Sequence, residues 1–596
     1  MPEQSFHTVD RRKIIFSIIV IFFAISVFQL FKMQILEQVT YVEKSSENSV
    51  RKITLKPPRG IFFDRNFQIL VSNKPSYSLQ IIPANYNNYI TPMLEKVLNV
   101  QEGFIDNILK KKSGYSRYLP RRIKRGIDFN VVAWLEENRE HLPGVEYVVE
   151  MQRDYSFGIN GSHLFGYTRE INKNQLEKFK GIYSLGDYIG IKGIEKTYEE
   201  YLRGVKGYRL VIVNSEQKII GSFENGQKDR QPLKGFDLVL TIDWETQKKA
   251  EQLFKDKTGS LVALNPKNGE VIAFVSAPQY DVSKFSTVIS REFIQQLRSD
   301  PRKPLFNRAT TSIYPPGSTL KMLVALIGLE SGLINRYSTV NCKGGYQYGN
   351  RFFKCHGVHG ITNVEKAIEK SCNTFFYKLI LDIGLDRFAN ISRQFGFGKK
   401  TGIDLSEESK GIVPDSKYYN KVYGENKWSR GNLLSLGIGQ GEFSVTTLQL
   451  AQYTALLANN GKTVQPHVVR GYLTRDAQEM VPFEFKEINV PINEKKLQVI
   501  KRGMYKVVNG DGTATNIKLS DIIIAGKTGT SQNPHGKDHA LFVAFAPYED
   551  PKIAVAVMVE NVGFGSSYAA PIAQKIIQTY LKSENENILQ ESLSLK

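Results

Sequence analysis

Several features are missing from this chain, and each absence removes a class of function. No zinc-finger, RNA-binding or helix-turn-helix signature occurs. A formal charge of +20, from 79 basic and 59 acidic residues, therefore has no nucleic-acid-reading element to serve, and no nucleic acid is expected as a partner. No long biased tract occurs, and 41% hydrophobic with 23% charged residues is the composition of a globular chain. No second long apolar run follows the first, Ile14 to Phe31, so the sequence offers one membrane crossing. No small-x-small site follows Phe31, where Lys32-Met33-Gln34 stand, which argues against a cleaved signal peptide. Cysteine is scarce: three in 596 residues.

What is present starts with that run. Ile14 to Phe31 is 18 uncharged residues, within the ~17–25 that span a bilayer. Arg11, Arg12 and Lys13 precede it, so residues 1–13 are expected to stay in the cytoplasm, 14–31 to be the anchor, and the remainder to lie outside the membrane. At this length several folded units are expected. Residues 32–235 read as a mixed α/β region of many short elements, with a helix-rich insertion from about 86 to 142. Arg59-Gly60, Asp64-Arg65, Gly193-Ile194-Glu195 and Tyr198-Glu199 are assigned there to structural ion pairs. The basic run from Lys110 to Arg125 reads as a solvated face or as an attraction for anionic lipid or envelope polymer.

The composition changes near Gly235. Asp237 to Ile242 reads as a strand ending at a helix cap, Asp243. Gly259–Leu264 and Val271–Ser276 flank the turn Pro266-Lys267-Asn268-Gly269 as a hairpin. Ile553 to Val559 is expected as a central strand and Pro571 to Leu581 as a closing helix. Residues 236–581 then form one α/β (α+β) domain, an antiparallel sheet flanked by helices, and 582–596 a poorly ordered polar tail.

Three short motifs carry the chemistry. Ser318-Thr319-Leu320-Lys321 opens an apolar helix, and residues three apart share a helix face. A desolvated lysine there loses its charge near neutral pH and takes the serine proton, with no histidine needed. Ser371-Cys372-Asn373 follows, and then the run Ile522 to Gly526 is expected as a strand leading into Lys527-Thr528-Gly529-Thr530. Each motif alone is weak: Ser215-Glu216-Gln217-Lys218 repeats the first spacing, and Lys400-Thr401-Gly402 repeats the last. Their order and setting separate them. The reading is acyl transfer: Ser318 attacks a carbonyl with Lys321 as base, and Ser371 passes a proton to the departing amine. Asn373 holds a substrate amide, while Lys527, Thr528 and Thr530 bind a terminal carboxylate. Gly529, lacking a side chain, lets substrate lie along the strand edge. The N–H groups of Ser318 and Thr530 form an oxyanion hole, worth ~3–4 kcal/mol per donor in such sites.

With these motifs in order, and with Gly437-Ile438-Gly439-Gln440-Gly441 and Leu240-Thr241-Ile242-Asp243, the chain resembles a class B penicillin-binding protein. Asn533-Pro534-His535-Gly536-Lys537-Asp538-His539-Ala540-Leu541-Phe542 is similar to the elongation-type group, penicillin-binding protein 2. The resemblance implies a membrane-anchored peptidoglycan DD-transpeptidase in the bacterial inner membrane. Its catalytic domain would be periplasmic, and residues 32–235 would be an elongated pedestal. It implies D-Ala-D-Ala stem peptides as donors, stem-peptide amines as acceptors and β-lactams as acylating inhibitors, with no cofactor required for the chemistry. It further implies a polytopic glycan polymerase and a rod-shape scaffold protein as partners. Leu320 stands where the family usually has phenylalanine. The alternatives are a DD-carboxypeptidase or β-lactamase-like hydrolase, and a β-lactam-binding sensor or scaffold. Against a hydrolase, no Glu-x-x-Leu-Asn lies between Ser371 and Lys527 to place a deacylating glutamate.

All three cysteines, Cys342, Cys355 and Cys372, fall within 31 residues, with His359 between the last two. Three thiolates and an imidazole suit a tetrahedral structural Zn2+, and the resemblance adds that some relatives of the elongation type hold a zinc in this region. Cys372 is the middle residue of the Ser-x-Asn motif, so such a metal would brace that loop. A Cys342–Cys355 disulfide, three inert thiols, and His356 in place of His359 stay open on the sequence.

Overall fold

The computed structural model describes residues 11–38, 49–111, 117–118, 120–214, 219–286, 289–425 and 427–594. The Ser215–Lys218 copy of the serine–lysine spacing lies outside them, as does most of the expected cytoplasmic tail. The chain divides into two compact units, 1–58 with 204–234, and 59–203 with 235–596. In the smaller unit a helix covers Arg11–Phe31, and the segment Arg12–Leu36 is long and apolar enough to cross a membrane. The same unit carries an antiparallel sheet in the order Val50–Leu55, Gly207–Val213, Ile219–Ser222.

The larger unit holds two main sheets. A five-stranded antiparallel sheet runs Val271–Ala277, Gly259–Leu264, Ile553–Val559, His539–Ala546, Ala525–Ser531. The first four are near-continuous apolar runs buried on both faces, the pattern of strands covered by helices on each side. Helix Thr447–Ala458 packs on Gly259–Leu264 and Ile553–Val559, and helix Gly565–Ser594 on His539–Ala546. The expected hairpin and central strand are both present. Asp243 caps its helix by accepting from Thr246 N–H. Two boundaries differ. The last strand starts at Ala525 rather than Ile522, and the final helix runs from Gly565 to Ser594 instead of ending at Leu581. The stretch 582–586 has neither glycine nor proline to stop the helix, and Lys552–Glu584 and Ser583–Asp243 contacts tie it down.

The second sheet is mixed. Strand Asp237–Leu240 pairs in parallel with Phe62–Phe63 and antiparallel with Val469–Leu473, so segments from either side of Gly235 share one sheet. Within 86–142, helices Thr91–Val97, Phe104–Lys111 and Phe129–Glu137 enclose a separate apolar cluster with Leu79 and Ile81. The basic run is partly used up here. Arg122 and Arg125, on strand Arg121–Ile127, both pair with Glu150. Burial, reinforced by Arg122, brings the Arg125 pKa down to about 10. The expected structural ion pairs form a network in which Glu195, fully buried, is bound by Arg153 at 2.6 Å and by Arg59. Burial pushes the Glu195 pKa up, but the two guanidiniums outweigh it and hold the carboxyl below its usual range.

Candidate active site

Ser318 lies in a single 3-10 turn, Gly317–Leu320, that feeds directly into helix Lys321–Glu330. Every helix residue from Lys321 to Leu329 is buried, so the apolar sequence Met322 to Leu329 carries the lysine inside with it. The turn sits at a meeting of three chain segments. Gly317 has φ +56°, and a Cβ there would lie 2.5 Å from the carbonyl oxygen of Thr530. Its N–H donates to Gly439 O at 2.8 Å, and a Cβ on Gly439 (φ +73°) would lie 2.0 Å from Gly317 O. Neither position admits a side chain. Gln440 Nε2 then donates to Thr530 O at 2.8 Å. The Gly437–Gly441 segment thus supports both the nucleophile turn and the carboxylate-binding strand. The signal for this supporting role in the sequence is the alternation of glycines at Gly437, Gly439 and Gly441.

Lys321 is fully buried. Its Nζ donates to Ser371 O at 2.7 Å, to Ser371 Oγ at 3.1 Å and to Asn373 Oδ1 at 2.6 Å. Three acceptors satisfy the three hydrogens of the ammonium form, and loss of one proton leaves a lone pair on Nζ. Burial brings its pKa down to about 7, against the opposing pull of Cys355 and Cys372. Ser371 holds φ +55°, rare for a residue with a side chain and costing of order 1–3 kcal/mol. Backbone bonds from Ser371 N to Ile368 O and Cys372 N to Ala367 O fix that conformation, which turns both Ser371 oxygens towards the lysine.

Lys527 lies on the edge strand Ala525–Ser531, fully buried, with Nζ 3.1 Å from Thr528 O and 3.5 Å from Thr528 Oγ1. Burial, and after it the Lys321 charge, hold its pKa well below the usual lysine value. The charge of Lys321 is thus felt at Lys527. Thr528 and Thr530 are partly exposed on that strand. Gly529 has a second reason in the packing: a Cβ there would lie 2.8 Å from Thr319 Cγ2 and 3.0 Å from Pro316 O. Its missing side chain makes room for the nucleophile turn. The Lys400-Thr401-Gly402 copy stands apart in a turn, where Thr401 and Gly402 N–H bind the Glu408 carboxylate.

The sulfur atoms of Cys342, Cys355 and Cys372 and a ring nitrogen of His359 all lie within 4.8 Å of one another, and the thiols are unpaired. His359 Nδ1 is 3.5 Å from Cys342 Sγ and 3.6 Å from Cys355 Sγ. A tetrahedral zinc with Zn–S near 2.3 Å and Zn–N near 2.05 Å has an S···N edge of about 3.6 Å. The donor set fits the ion by identity and by spacing, and His359 rather than His356 completes it. Asn373 N–H donates to Cys355 Sγ at 3.1 Å, and Thr374 Oγ1 lies 3.2 Å from Cys342 Sγ. These are supporting bonds of the kind that orient metal ligands.

A serine turn on a buried lysine, facing an edge strand that carries Lys-Thr-Gly-Thr, is the equipment of a serine acyltransferase. The penicillin binding protein transpeptidase domain model matches residues 259–578, and the penicillin-binding protein dimerisation domain model matches 54–240. The chain is similar to the peptidoglycan D,D-transpeptidase MrdA of Haemophilus influenzae, 33% identical across 93% of this chain and 88% of that one. It is similar in structure to Penicillin-Binding Protein (PBP2) of Helicobacter pylori, solved in complex with MreC. That match has TM-score 0.76 and 30% identity, over 89% of this chain and 99% of that one. It is also similar to a chain of a solved peptidoglycan synthase complex that coordinates polymerization and crosslinking. There the TM-score is 0.72 and the identity 26%, over 95% and 98% of the two chains. The chain belongs to the class B penicillin-binding proteins, in their elongation-type group.

Proposed function

We infer that this protein is a peptidoglycan D,D-transpeptidase that cross-links stem peptides during elongation, through an acyl-enzyme on Ser318. The observation that carries the reading is Lys321, buried without a salt-bridge partner among the described residues, one helical turn after Ser318 and bonded to both Ser371 and Asn373. In its neutral form Lys321 takes the Ser318 proton as Oγ attacks the carbonyl of the D-Ala-D-Ala bond. The N–H groups of Ser318 and Thr530 hold the oxyanion, supported by the close approach of Gly317 to Thr530. Collapse breaks the peptide bond, and Ser371 relays a proton to the departing D-alanine amine. An acceptor amine then attacks the ester, the new amide forms, and Ser318 recovers its proton. Lys527, Thr528 and Thr530 hold the donor's terminal carboxylate, Asn373 the donor amide. The open edge of Ala525–Ser531 receives the peptide as an added strand.

Residues 236–581 carry this chemistry and 32–235 form the pedestal. The apolar helix anchors the chain in the inner membrane with residues 1–13 in the cytoplasm and the catalytic domain in the periplasm. The MreC complex and the synthase complex of the two similar structures support a rod-shape scaffold protein and a polytopic glycan polymerase as partners. Cys342, Cys355, His359 and Cys372 would hold a structural Zn2+, which takes no part in the reaction. With the ion bound, Cys372 between Ser371 and Asn373 would be held as a ligand, and Asn373 would be held further by its N–H bond to Cys355 Sγ. The test supplies a D-alanyl thioester donor with and without an amine acceptor. Amide product should outrun hydrolysis when the amine is present, and hydrolysis unaffected by amine would contradict the reading.

A further inference from the structure

The mechanism leaves Thr513 unused, although it reaches the site. It follows helix Glu494–Asn509 and the turn Gly510-Asp511-Gly512. The turn is held on two sides. A Cβ on Gly512 would lie 2.3 Å from Val507 Cα, and Ala514 N donates to Val507 O. Asp511 N–H donates to Glu369 Oε1 at 2.9 Å, and Lys370 Nζ to Asp511 O. Glu369 and Lys370 immediately precede Ser371. Beyond the turn, Thr513 Oγ1 lies 2.6 Å from Thr528 Oγ1.

A hydroxyl has one hydrogen to give and two lone pairs to fill. Thr528 Oγ1 already accepts from Lys527 Nζ at 3.5 Å. If Thr513 also donates to it, both lone pairs are occupied and the Thr528 hydrogen is left to point outward at a substrate oxygen. If Thr513 accepts instead, that hydrogen is consumed internally. We propose that Thr513 is a positioning residue for the acyl donor: by donating to Thr528 it commits the Thr528 hydroxyl to the donor's terminal carboxylate, making the site selective for a free carboxylate over a carboxamide. The inference deepens the proposed function and rests on Thr528 as a carboxylate ligand.

The experiment compares two thioester donors, one ending in a carboxylate and one in the corresponding carboxamide, on the full-length protein. The readout is the ratio of acylation efficiencies, because any loss of folded enzyme scales both donors alike and cancels. In Thr513→Ala the carboxylate preference should fall about five- to tenfold, the size expected for losing one hydrogen bond between neutral groups, and enter through the donor's KM rather than kcat. Thr513→Ser should restore it. An unchanged ratio in Thr513→Ala, with the preference lost in Thr528→Ala, overturns the role of Thr513 alone. An unchanged ratio in Thr528→Ala removes the carboxylate assignment beneath it.

Discussion

The Lys321 ammonium nitrogen lies 2.6 Å from Asn373 Oδ1, joining the helix after the nucleophile to the Ser-x-Asn motif. With its pKa brought down to about 7 by burial, the lysine is a base only above that pH. The acylation rate by a penicillin should fall about tenfold per pH unit below 7 and level off above it. A rate flat from pH 5 to 9 would remove Lys321 as the base.

One bond further, Asn373 N–H meets Cys355 Sγ at 3.1 Å. Protein purified without chelator should contain about one zinc per chain, and Cys355→Ser should lose it together with roughly 2 kcal/mol or more of stability. Acylation should slow as well, because Ser371 and Asn373 flank a ligand. Under half an equivalent of zinc contradicts the metal site.

The support beneath the nucleophile turn predicts a loss without any change in chemistry. Gly439→Ala places a Cβ 2.0 Å from Gly317 O and adds left-handed strain of ~1–2 kcal/mol. Penicillin acylation should drop at least tenfold, and wild-type rates would show that the segment yields.

Glu195→Gln leaves Arg59 and Arg153 buried without their shared carboxylate. Breaking a buried pair costs about 3–5 kcal/mol, so the urea midpoint should fall by that equivalent. A shift below about 1 kcal/mol would mean that water enters the network.

The parts legible in the sequence were those carried by local chemistry. The N-terminal apolar helix, the hairpin at Gly259–Ala277 and the three short motifs brought to the site each bring their own pattern of apolar runs, turn residues and hydroxyls. What stayed hidden depends on distant segments meeting. Gly529 is small because Thr319, more than two hundred residues earlier, packs against it, and Thr513 matters only because a turn lands beside Thr528. The sheet shared by Phe62–Phe63 and Asp237–Leu240 is invisible to a reading that places a boundary by composition near Gly235. The helix continues past Leu581 because residues 582–586 hold no glycine or proline and pack through Ser583 and Glu584, contacts that the polarity of the segment does not announce.

The central claim is a covalent intermediate on Ser318, and labelling with a fluorescent penicillin followed by peptide mapping tests it most directly. One adduct per chain is expected, on the peptide containing Ser318, slow to hydrolyse, and absent from Ser318→Ala at unchanged thermal stability. Stoichiometric label retained by Ser318→Ala, or mapped to another serine, would contradict the account.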